Sequence, residues 1–382
     1  MTPEPAPHAV GPVDEPGGLT PAWLTAALGS TYPGAEVTAV TRTPVGTGQM
    51  GTSYRLGLTW SDGDPGGERP ATLVAKLPTA EVAVRPMVAG AYATEVAFYR
   101  EVASTVAVRT PACPYAAISE SGTEFTLLLQ DLHPARQGDQ LVGSSFDQAG
   151  HAVVNLAGLH GPRWCDESLG DLGWLHVMDA EAAGLLGQVT RSAVTAFVDR
   201  LGERIAPADR TLLVEVGEAV AAWSTGRPER FGLVHGDYRM DNLMFDPPVE
   251  PPCSDRPGRA EPVIEPDGAP AVTAVDWQTV ARGLPARDLA YFLETSLDPA
   301  DRRAHEVELV TRYHRALISH GVTGYPAATC FDDYRYGALQ GPLIIVLGAA
   351  YGTQTERGDA MFLTMTARSC EAVRDLGTLE LV

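Results

Sequence analysis

The stretch Leu233-Val-His-Gly-Asp-Tyr-Arg-Met-Asp-Asn-Leu-Met-Phe245 places a polar segment between two apolar runs. The apolar runs predict two short buried strands, and His235 to Asn242 predicts the loop that joins them. An aspartate followed five positions later by an asparagine suits phosphoryl transfer. Asp237 can accept the proton of a substrate hydroxyl, and the side-chain oxygen of Asn242 can bind Mg²⁺. Taken singly, an aspartate in such a loop is more typical of a turn or cap.

Two further features fit the same chemistry. Ala274-Val-Asp-Trp-Gln278 supplies a second carboxylate, Asp276, at the end of an apolar run. Upstream, Gly46-Thr-Gly-Gln-Met-Gly51 matches the pattern GxGxxG. Residues 52–60 alternate as a strand does, whereas a dinucleotide-binding fingerprint should open a helix. We therefore expect a hairpin whose glycines, Gly46, Gly48 and Gly51, lie over nucleotide phosphates, with a plain flexible hairpin as the alternative.

A lysine lies within an apolar strand pattern. Residues 71–77 read Ala-Thr-Leu-Val-Ala-Lys-Leu, in which Lys76 is the one charged residue. A lysine in an apolar strand needs a partner or a ligand to offset its desolvation, unless the ammonium reaches water at a sheet edge. Glu95, on the helix predicted over residues 88–102, is the candidate partner. A lysine on the third strand paired with a glutamate on the following helix positions nucleotide phosphates in kinases.

The chain divides into a strand-rich first part and a helical second part. Residues 1–18 are rich in Pro, Gly and acid and predict a disordered leader. We expect a nucleotide-binding lobe over residues 19–133 and a helical lobe over residues 134–382, which includes one helix at 331–351. Residues 246–270 are broken by prolines and predict a surface loop between two strands of a hairpin.

The composition limits the class of protein. The 382 residues, 45% hydrophobic and 20% charged, are typical of a globular protein large enough for two lobes. The net charge of −20 argues against nucleic-acid binding, which needs clustered Lys and Arg. The five cysteines are scattered without a CxxC pair, and the N-terminus lacks a secretory pattern. These features predict a cytoplasmic protein without membrane spans, and they leave its oligomeric state open.

The joint order of these elements resembles the aminoglycoside phosphotransferase and choline kinase superfamily, over most of the chain. His235–Asn242 follows the family pattern HGDxxxxN, and Val275–Trp277 stands where the family has its magnesium aspartate. Glu95–Arg100 and Leu127–Leu132 look most like the branch with choline-kinase-like and ecdysteroid-kinase-like proteins. Arg287–Phe292 is similar to the segment whose aspartate braces the catalytic loop.

The resemblance implies an α+β, two-lobed, protein-kinase-like fold with a small antiparallel first lobe carrying one helix and a mainly helical second lobe. It also implies ATP and Mg²⁺ as cofactors. In that scheme Asp237 orients the substrate hydroxyl and takes its proton, and Asn242 and Asp276 hold Mg²⁺. Lys76 contacts the nucleotide phosphates, and Glu95 holds Lys76 in place. In a kinase-like fold the strand at residues 125–129 leads to the hinge, where backbone groups of Gln130 and Leu132 meet adenine.

The predicted function is transfer of the γ-phosphate of ATP to a hydroxyl of a small molecule: an aminoglycoside, an amino sugar, a choline-like compound or a natural-product alcohol. The alternative is an inactive kinase-like protein that acts by binding nucleotide. A protein kinase is disfavoured, because His-Gly-Asp replaces His-Arg-Asp and Asp-Trp-Gln replaces Asp-Phe-Gly. The acidic balance mildly favours a cationic or neutral polar acceptor. A site for a quaternary ammonium needs converging aromatic rings, for which Trp164, Trp174, Trp277 and Tyr291 are candidates.

Overall fold

The computed structural model describes residues 10–46, 50–63, 67–247 and 272–382. The first lobe is a five-stranded antiparallel sheet with the strand order β1-β2-β3-β5-β4. Helix α1 (Pro21–Leu28) precedes the sheet, and helix α2 (Arg85–Ala97) crosses over between its third and fourth strands. The strands are β1 (Val37–Val45), β2 (Gly51–Trp60), β3 (Thr72–Pro78), β4 (Tyr115–Ile118) and β5 (Phe125–Gln130).

The pleat of β3 decides where its lysine points. Successive side chains of a strand alternate between the two faces of a sheet. Leu73, Ala75 and Leu77 belong to the buried cluster that includes α1. Val74 packs against the second cluster, which includes α2 residues. Lys76 follows Val74 by two positions, so the alternation directs its side chain to the α2 side of the sheet.

The predicted disordered leader is wrong for residues 10–18. Residues 1–9 lie outside the described residues. The Val13 amide donates to Thr126 Oγ1 at 2.8 Å, and Thr126 Oγ1 donates back to the Val13 carbonyl at 2.7 Å. Tyr115 Oη donates to the Val10 carbonyl at 2.9 Å. The proline-rich composition disfavours a helix or sheet, but it leaves backbone groups that pair with β4 and β5.

The second lobe is mainly helical. Its longer helices are α3 (Phe146–His160), α4 (Ala180–Leu201), α5 (Pro207–Thr225), α6 (Ala286–Ser296), α7 (Pro299–Ser319), α8 (Ala327–Gly337), α9 (Gln340–Tyr351) and α10 (Glu356–Leu376). Their buried faces form one large core cluster, which takes in Trp223, Trp277 and Tyr313. The predicted α+β fold, with a small antiparallel first lobe and a mainly helical second lobe, is confirmed.

Two small sheets in this lobe position the loop at residues 235–242. Their strands are β6 (Arg136–Gln137), β7 (His176–Val177), β8 (Gly232–Val234), β9 (Leu243–Phe245), β10 (Val272–Ala274) and β11 (Ala281–Gly283). One sheet has the order β10-β9-β6 and the other has the order β7-β11-β8. The two predicted strands around the loop are therefore present, but they belong to different sheets, and the loop is anchored at both ends.

The loop predicted at 246–270 falls largely outside the described residues, which resume at Val272. The strands that flank it do pair as a hairpin, because Leu243 lies opposite Ala274 and Phe245 opposite Val272 in an antiparallel register. This pairing brings the end of the polar loop next to the segment that leads to Asp276.

The prediction of one helix over residues 331–351 is wrong, since α8 ends at Gly337 and α9 begins at Gln340. A Cβ at Gly337 would lie 2.6 Å from the Ala286 carbonyl, so α8 contacts α6 closely there. Pro342 is the third residue of α9, where a missing amide hydrogen costs nothing, whereas inside a continuous helix it would break a hydrogen bond. The Gly341 amide instead donates to Glu294 Oε1 at 2.8 Å.

None of the helices in the described ranges combines the length and apolar character needed to cross a lipid bilayer. Four of the cysteines, Cys113, Cys165, Cys330 and Cys370, are free thiols, and the fifth, Cys253, lies outside the described residues.

Candidate active site

Lys76 joins the two lobes. Its Nζ lies 2.8 Å from Glu95 Oε1 on α2 and 2.9 Å from Asp276 Oδ1, which follows β10 in the second lobe. Glu95 is buried, and Gln278 Nε2 donates to its other oxygen at 3.3 Å. The structure therefore brings together three of the residues singled out in the sequence, although Lys76 and Asp276 are 200 positions apart.

The charges of this cluster depend on one another. Burial alone would lower the pKa of Lys76, but the adjacent carboxylates of Asp276 and Glu95 raise it, so the ammonium stays charged. Burial raises the pKa of Glu95, although Lys76 opposes that shift. Burial also acts to raise the pKa of Asp276, yet the Lys76 ammonium outweighs it and the pKa is lowered. The Asp276 carboxylate is thus ionised next to the cleft, as a metal ligand needs to be.

Asp288, in the first turn of α6, anchors the loop at residues 235–242 through hydrogen bonds to its backbone. The amides of His235 and Gly236 donate to its two carboxylate oxygens, at 2.5 and 3.0 Å. Gly236 has a φ of +82°, and a Cβ there would lie 2.6 Å from the Thr279 carbonyl, so the turn requires glycine. His235 is buried and makes a hydrogen bond of 3.1 Å through Nε2 to the Val275 carbonyl. The bracing role that the family resemblance implies for Asp288 agrees with this geometry.

Replacing Asp288 with alanine should lower the free energy of unfolding by about 3 kcal/mol, because two buried amides would lose their acceptors. Asparagine retains one acceptor oxygen, so Asp288→Asn should cost roughly half as much. Urea unfolding followed by circular dichroism measures both. Asp301→Ala, at an exposed carboxylate on α7, is the control and should change the unfolding free energy by less than about 0.5 kcal/mol. An unfolding free energy of Asp288→Ala equal to that of the control would contradict the bracing role.

Asp237 lies at the centre of the loop with both carboxylate oxygens engaged. Tyr291 Oη donates to Oδ1 at 2.8 Å, and Asn242 Nδ2 donates to Oδ2 at 2.8 Å. Arg239 Nε lies 3.0 Å from Oδ1 and 3.2 Å from Oδ2. These donors fix the direction of the carboxylate, which is half-buried at the cleft.

Asn242 and Asp276 are adjacent because their backbones are joined. The amide of Val275 donates to the Asn242 carbonyl at 3.0 Å, which extends the β9–β10 pairing by one bond. Asn242 Nδ2 donates to Asp237, and no residue that the structure describes makes a hydrogen bond to its Oδ1, so this oxygen can act as a ligand. Within the described ranges no group of three or more His, Cys, Asp or Glu side chains has a metal-binding arrangement.

Asp241, next to Asn242 in the loop, accepts hydrogen bonds from three other residues. It accepts from Arg239 Nη1 at 2.9 Å, from the Gln140 amide at 2.9 Å and from Arg357 at 3.2 Å. Burial would raise the pKa of Asp241, but the guanidinium groups of Arg357 and Arg239 lower it below its usual 3.8. Asp241 therefore ties the loop to α10 and to the segment before α3.

The lowered pKa of Asp241 gives a pH dependence of stability. A carboxylate whose folded pKa lies below its unfolded value stabilises the fold above the unfolded pKa and loses that contribution as pH falls through the folded pKa. The difference in unfolding free energy between wild type and Asp241→Asn should thus be constant from about pH 5 to 8 and shrink below about pH 4. Urea titrations at four or five pH values test this. A difference that grows on acidification would contradict it.

The glycine segment is partly described. Gly46 has a φ of +74°, in the region that favours glycine, while Gly48 lies outside the described residues. Gly51 begins β2, and a Cβ there would lie 2.8 Å from the Leu77 carbonyl of β3. Gly51 is thus explained by close strand packing beside Lys76, without reference to a ligand.

The predicted hinge positions have local partners. The Gln130 amide donates to the Ala112 carbonyl at 2.8 Å, and the Leu132 carbonyl accepts from the Ala135 amide at 2.8 Å. Those two backbone groups are therefore already engaged, and a contact between adenine and the amide of Gln130 would require it to leave Ala112.

The candidate aromatic rings do not converge on Asp237. Trp277 is fully buried and stacks on Phe98 with ring centroids 3.9 Å apart. Trp164 packs on Tyr325, and Trp174 Nε1 donates to Glu101 at 3.0 Å. Of the four candidates only Tyr291 contacts Asp237, and it does so through its hydroxyl group. The expected aromatic site for a quaternary ammonium is not formed by these residues.

Arg239 is the site residue that the sequence did not single out. The segment Asp237-Tyr-Arg-Met-Asp241 alternates polar with apolar residues, and Tyr238 and Met240 are both buried. Arg239 has an extended backbone, with φ −146° and ψ 168°. In extended backbone alternate side chains share a face, so the alternation was the signal that Arg239 lies beside Asp237 and Asp241.

A lysine and a glutamate of the first lobe meet an aspartate of the helical lobe, an arrangement typical of kinase-type phosphotransferases. A sequence profile described as the phosphotransferase enzyme family, APH, matches residues 60–253, half of the chain. The chain belongs to this family, so the predicted superfamily is confirmed, and the predicted enzyme class is confirmed as a phosphotransferase. A second profile, described as "Uncharacterized oxidoreductase dhs-27", matches residues 266–336. No curated protein matches significantly.

Several solved structures resemble the chain along most of its length at low sequence identity. The GDP complex of aminoglycoside 2'-phosphotransferase-IIIa is 12% identical, with 92% of this chain and 98% of that chain covered and a TM-score of 0.49. A microcompartment-associated aminopropanol kinase is 14% identical, with coverages of 94% and 99% and a TM-score of 0.47. An ethanolamine kinase of Plasmodium vivax is 10% identical, with coverages of 87% and 82% and a TM-score of 0.42. TM-scores below 0.5 decide nothing about the acceptor of this chain.

Proposed function

We propose that this protein transfers the γ-phosphoryl group of ATP, in the presence of Mg²⁺, to a hydroxyl group of a small molecule. The observation that carries the proposal is the contact of Lys76 with both Glu95 and Asp276, 2.8 and 2.9 Å away, beside the loop that holds Asp237. A cation from the first lobe, a carboxylate from the second lobe and a base on a neighbouring loop are what phosphoryl transfer from a nucleotide requires.

Each residue has a definite part in the reaction. The hydroxyl oxygen of the acceptor attacks the γ-phosphorus, and the bond to the β–γ bridging oxygen breaks with its electron pair left on ADP. The hydroxyl proton passes to Asp237. Hydrogen bonds from Tyr291 and Asn242 fix the orientation of its carboxylate. Lys76 binds phosphate oxygens of the nucleotide, and Glu95 keeps the lysine aimed at them. Such catalysis is mostly positioning and charge neutralisation.

The residues present fit a magnesium ion. Mg²⁺ is usually bound through one or two protein oxygen ligands together with substrate phosphates and waters. Among the described residues, none makes a hydrogen bond to Asn242 Oδ1 or Asp276 Oδ2, whereas Asn242 Nδ2 contacts Asp237 and Asp276 Oδ1 contacts Lys76, so these two oxygens can serve as ligands. When bound there, the ion would neutralise charge on the phosphates.

The acceptor is proposed to be an aminoglycoside, an amino sugar, a choline-like compound or a natural-product alcohol. The chain is strongly negative overall, but the negative charge of the proposed base is locally balanced. Arg239 forms ion pairs with both Asp237 and Asp241. Among the described residues, the carboxylates of Asp237 and Asp241 are thus both paired with Arg239, so neutral alcohols belong in the search on an equal footing with cationic ones.

The proposal is tested by incubating purified protein with ATP, Mg²⁺ and a panel of hydroxyl compounds from these classes. Formation of ADP is followed by a coupled assay, and the phosphorylated product is identified by mass spectrometry. At least one acceptor should give equal amounts of ADP and phosphoester, in a reaction that stops when EDTA removes the metal. Nucleotide-dependent thermal stabilisation without any phosphoester, over the whole panel, would favour the inactive, nucleotide-binding alternative.

A further inference from the structure

Arg239 presents three nitrogens, of which two are engaged within the loop. Nε contacts Asp237 at 3.0 Å, and Nη1 contacts Asp241 at 2.9 Å and Met361 Sδ at 3.5 Å. In the part of the chain that the structure describes, no residue accepts a hydrogen bond from Nη2. The side chain is 18% exposed, and this nitrogen is not among the fully buried atoms without a partner. Nη2 is therefore an available hydrogen-bond donor, and it belongs to the same guanidinium group whose Nε contacts the proposed base, Asp237.

The two carboxylates fix the guanidinium in place. Bidentate and paired contacts of an arginine are directional, because its five N–H groups lie in one plane. With Nε on Asp237 and Nη1 on Asp241, the remaining Nη2 edge has a single orientation. Burial opposes the charge of Arg239, but Asp237 and Asp241 raise its pKa, so the group is a permanent cation.

Arg239 lies close to the proposed base and to a proposed metal ligand. It touches Asp237, which is proposed to receive the acceptor proton, and Asp237 in turn accepts a hydrogen bond from Asn242, which is proposed to hold the metal. During transfer the phosphoryl group is close to both the base and the metal. In its transition state, negative charge is spread over three oxygens that no longer belong fully to donor or acceptor.

We propose that Arg239 is a further catalytic residue, whose Nη2 donates to an oxygen of the transferring phosphoryl group while Nε holds Asp237. This inference rests on the proposed function. It gives the arginine two tasks at once: it aims the base, and it neutralises charge on the group being moved. A lysine could supply the charge but could not contact both carboxylates and the phosphoryl oxygen from one rigid plane.

The test compares wild type with Arg239→Met and Arg239→Lys by isothermal titration with Mg·ADP, alone and with aluminium fluoride, which mimics the transferring group. Arg239→Met should bind Mg·ADP within about threefold of wild type and lose roughly 10² or more of the affinity gained with fluoroaluminate. Its slow ATP hydrolysis, with water as acceptor, should fall by about 10³. Arg239→Lys should recover part of both. Thermal unfolding establishes that each variant is folded.

Arg357→Gln is the matched control, because Arg357 contacts Asp241 and Asp139 but not Asp237. Its side chain is 53% exposed, and its fluoroaluminate affinity should stay within about threefold of wild type. Unchanged fluoroaluminate affinity in Arg239→Met would overturn the inference, as would an equal loss for Mg·ADP, which indicates a displaced loop. An effect confined to the Michaelis constant of an acceptor would make Arg239 an acceptor-binding residue instead. Wild type that binds no Mg·ADP would overturn the proposed function itself.

Discussion

Replacing Asp237 with asparagine should lower kcat for phosphoryl transfer by roughly 10²–10⁴, the usual contribution of a positioned general base. The amide can still accept from Tyr291, which donates to Oδ1 at 2.8 Å, so the loop should keep its shape. It cannot take up the acceptor proton. The Michaelis constant for ATP should change little, since Asp237 does not contact Lys76 or Asp276. Steady-state kinetics with saturating ATP and varied acceptor measures the effect.

Asp139→Asn is the control for Asp237→Asn. Asp139 is a half-exposed carboxylate near the same loop, where it contacts Arg357 at 3.5 Å. Removing its charge should alter kcat by no more than about twofold, because exposed ion pairs contribute little. If Asp237→Asn retained more than about a tenth of the wild-type kcat, Asp237 would be a structural residue of the loop and not the base.

The second large effect is expected at Lys76. Lys76→Met removes the cation that contacts Glu95 and Asp276, and should lower kcat/KM for ATP by roughly 10²–10³, through loss of charge-assisted contacts to the phosphates. The same change leaves Glu95, which is 1% exposed, without its cation. The free energy of unfolding should therefore fall by about 3 kcal/mol, as for other buried pairs that lose one partner.

The double variant Lys76→Met/Glu95→Gln separates these two effects. A neutral amide at position 95 removes the uncompensated carboxylate, so most of the lost stability should return. The activity should not return, because the phosphates still lack their cation. Urea unfolding and ATP kinetics on the same preparations decide the matter. A double variant that uses Mg·ATP as well as wild type would show that Lys76 serves only to balance Glu95.

The site was predictable from sequence where chemistry and order coincide. Lys76 was an isolated charge in an apolar strand, and Glu95 followed on the next helix, so their pairing needed only the physical rule that a buried ammonium requires a partner. The pairing of Lys76 with Asp276, 200 positions away, could be expected only from the resemblance, since no local pattern encodes a contact between lobes.

The boundary between α8 and α9, the core position of Trp277 and the site role of Arg239 were not predicted. In each case another feature of the sequence favoured a different interpretation. The uncharged segment from Tyr336 to Thr353 suggested one buried helix, yet Gly337 and Pro342 mark the end of α8 and the start of α9. The tryptophans were weighed for a substrate pocket, but Trp277 stacks on Phe98 in the core. Arg239 went unnoticed since loop positions are seldom assigned a face, although the alternation with Tyr238 and Met240 defined one.

The most direct test of the central claim is product analysis of wild type with Mg·ATP and an alcohol from the screen, by ³¹P nuclear magnetic resonance. The site formed by Lys76, Asp237, Asn242 and Asp276 should convert ATP to ADP while a new phosphomonoester resonance appears in equal amount, and Asp237→Asn should form both at least about 10²-fold more slowly. Conversion of ATP to ADP with only inorganic phosphate, for every alcohol supplied, would contradict the claim, and so would phosphoester formation by Asp237→Asn at more than about a tenth of the wild-type rate.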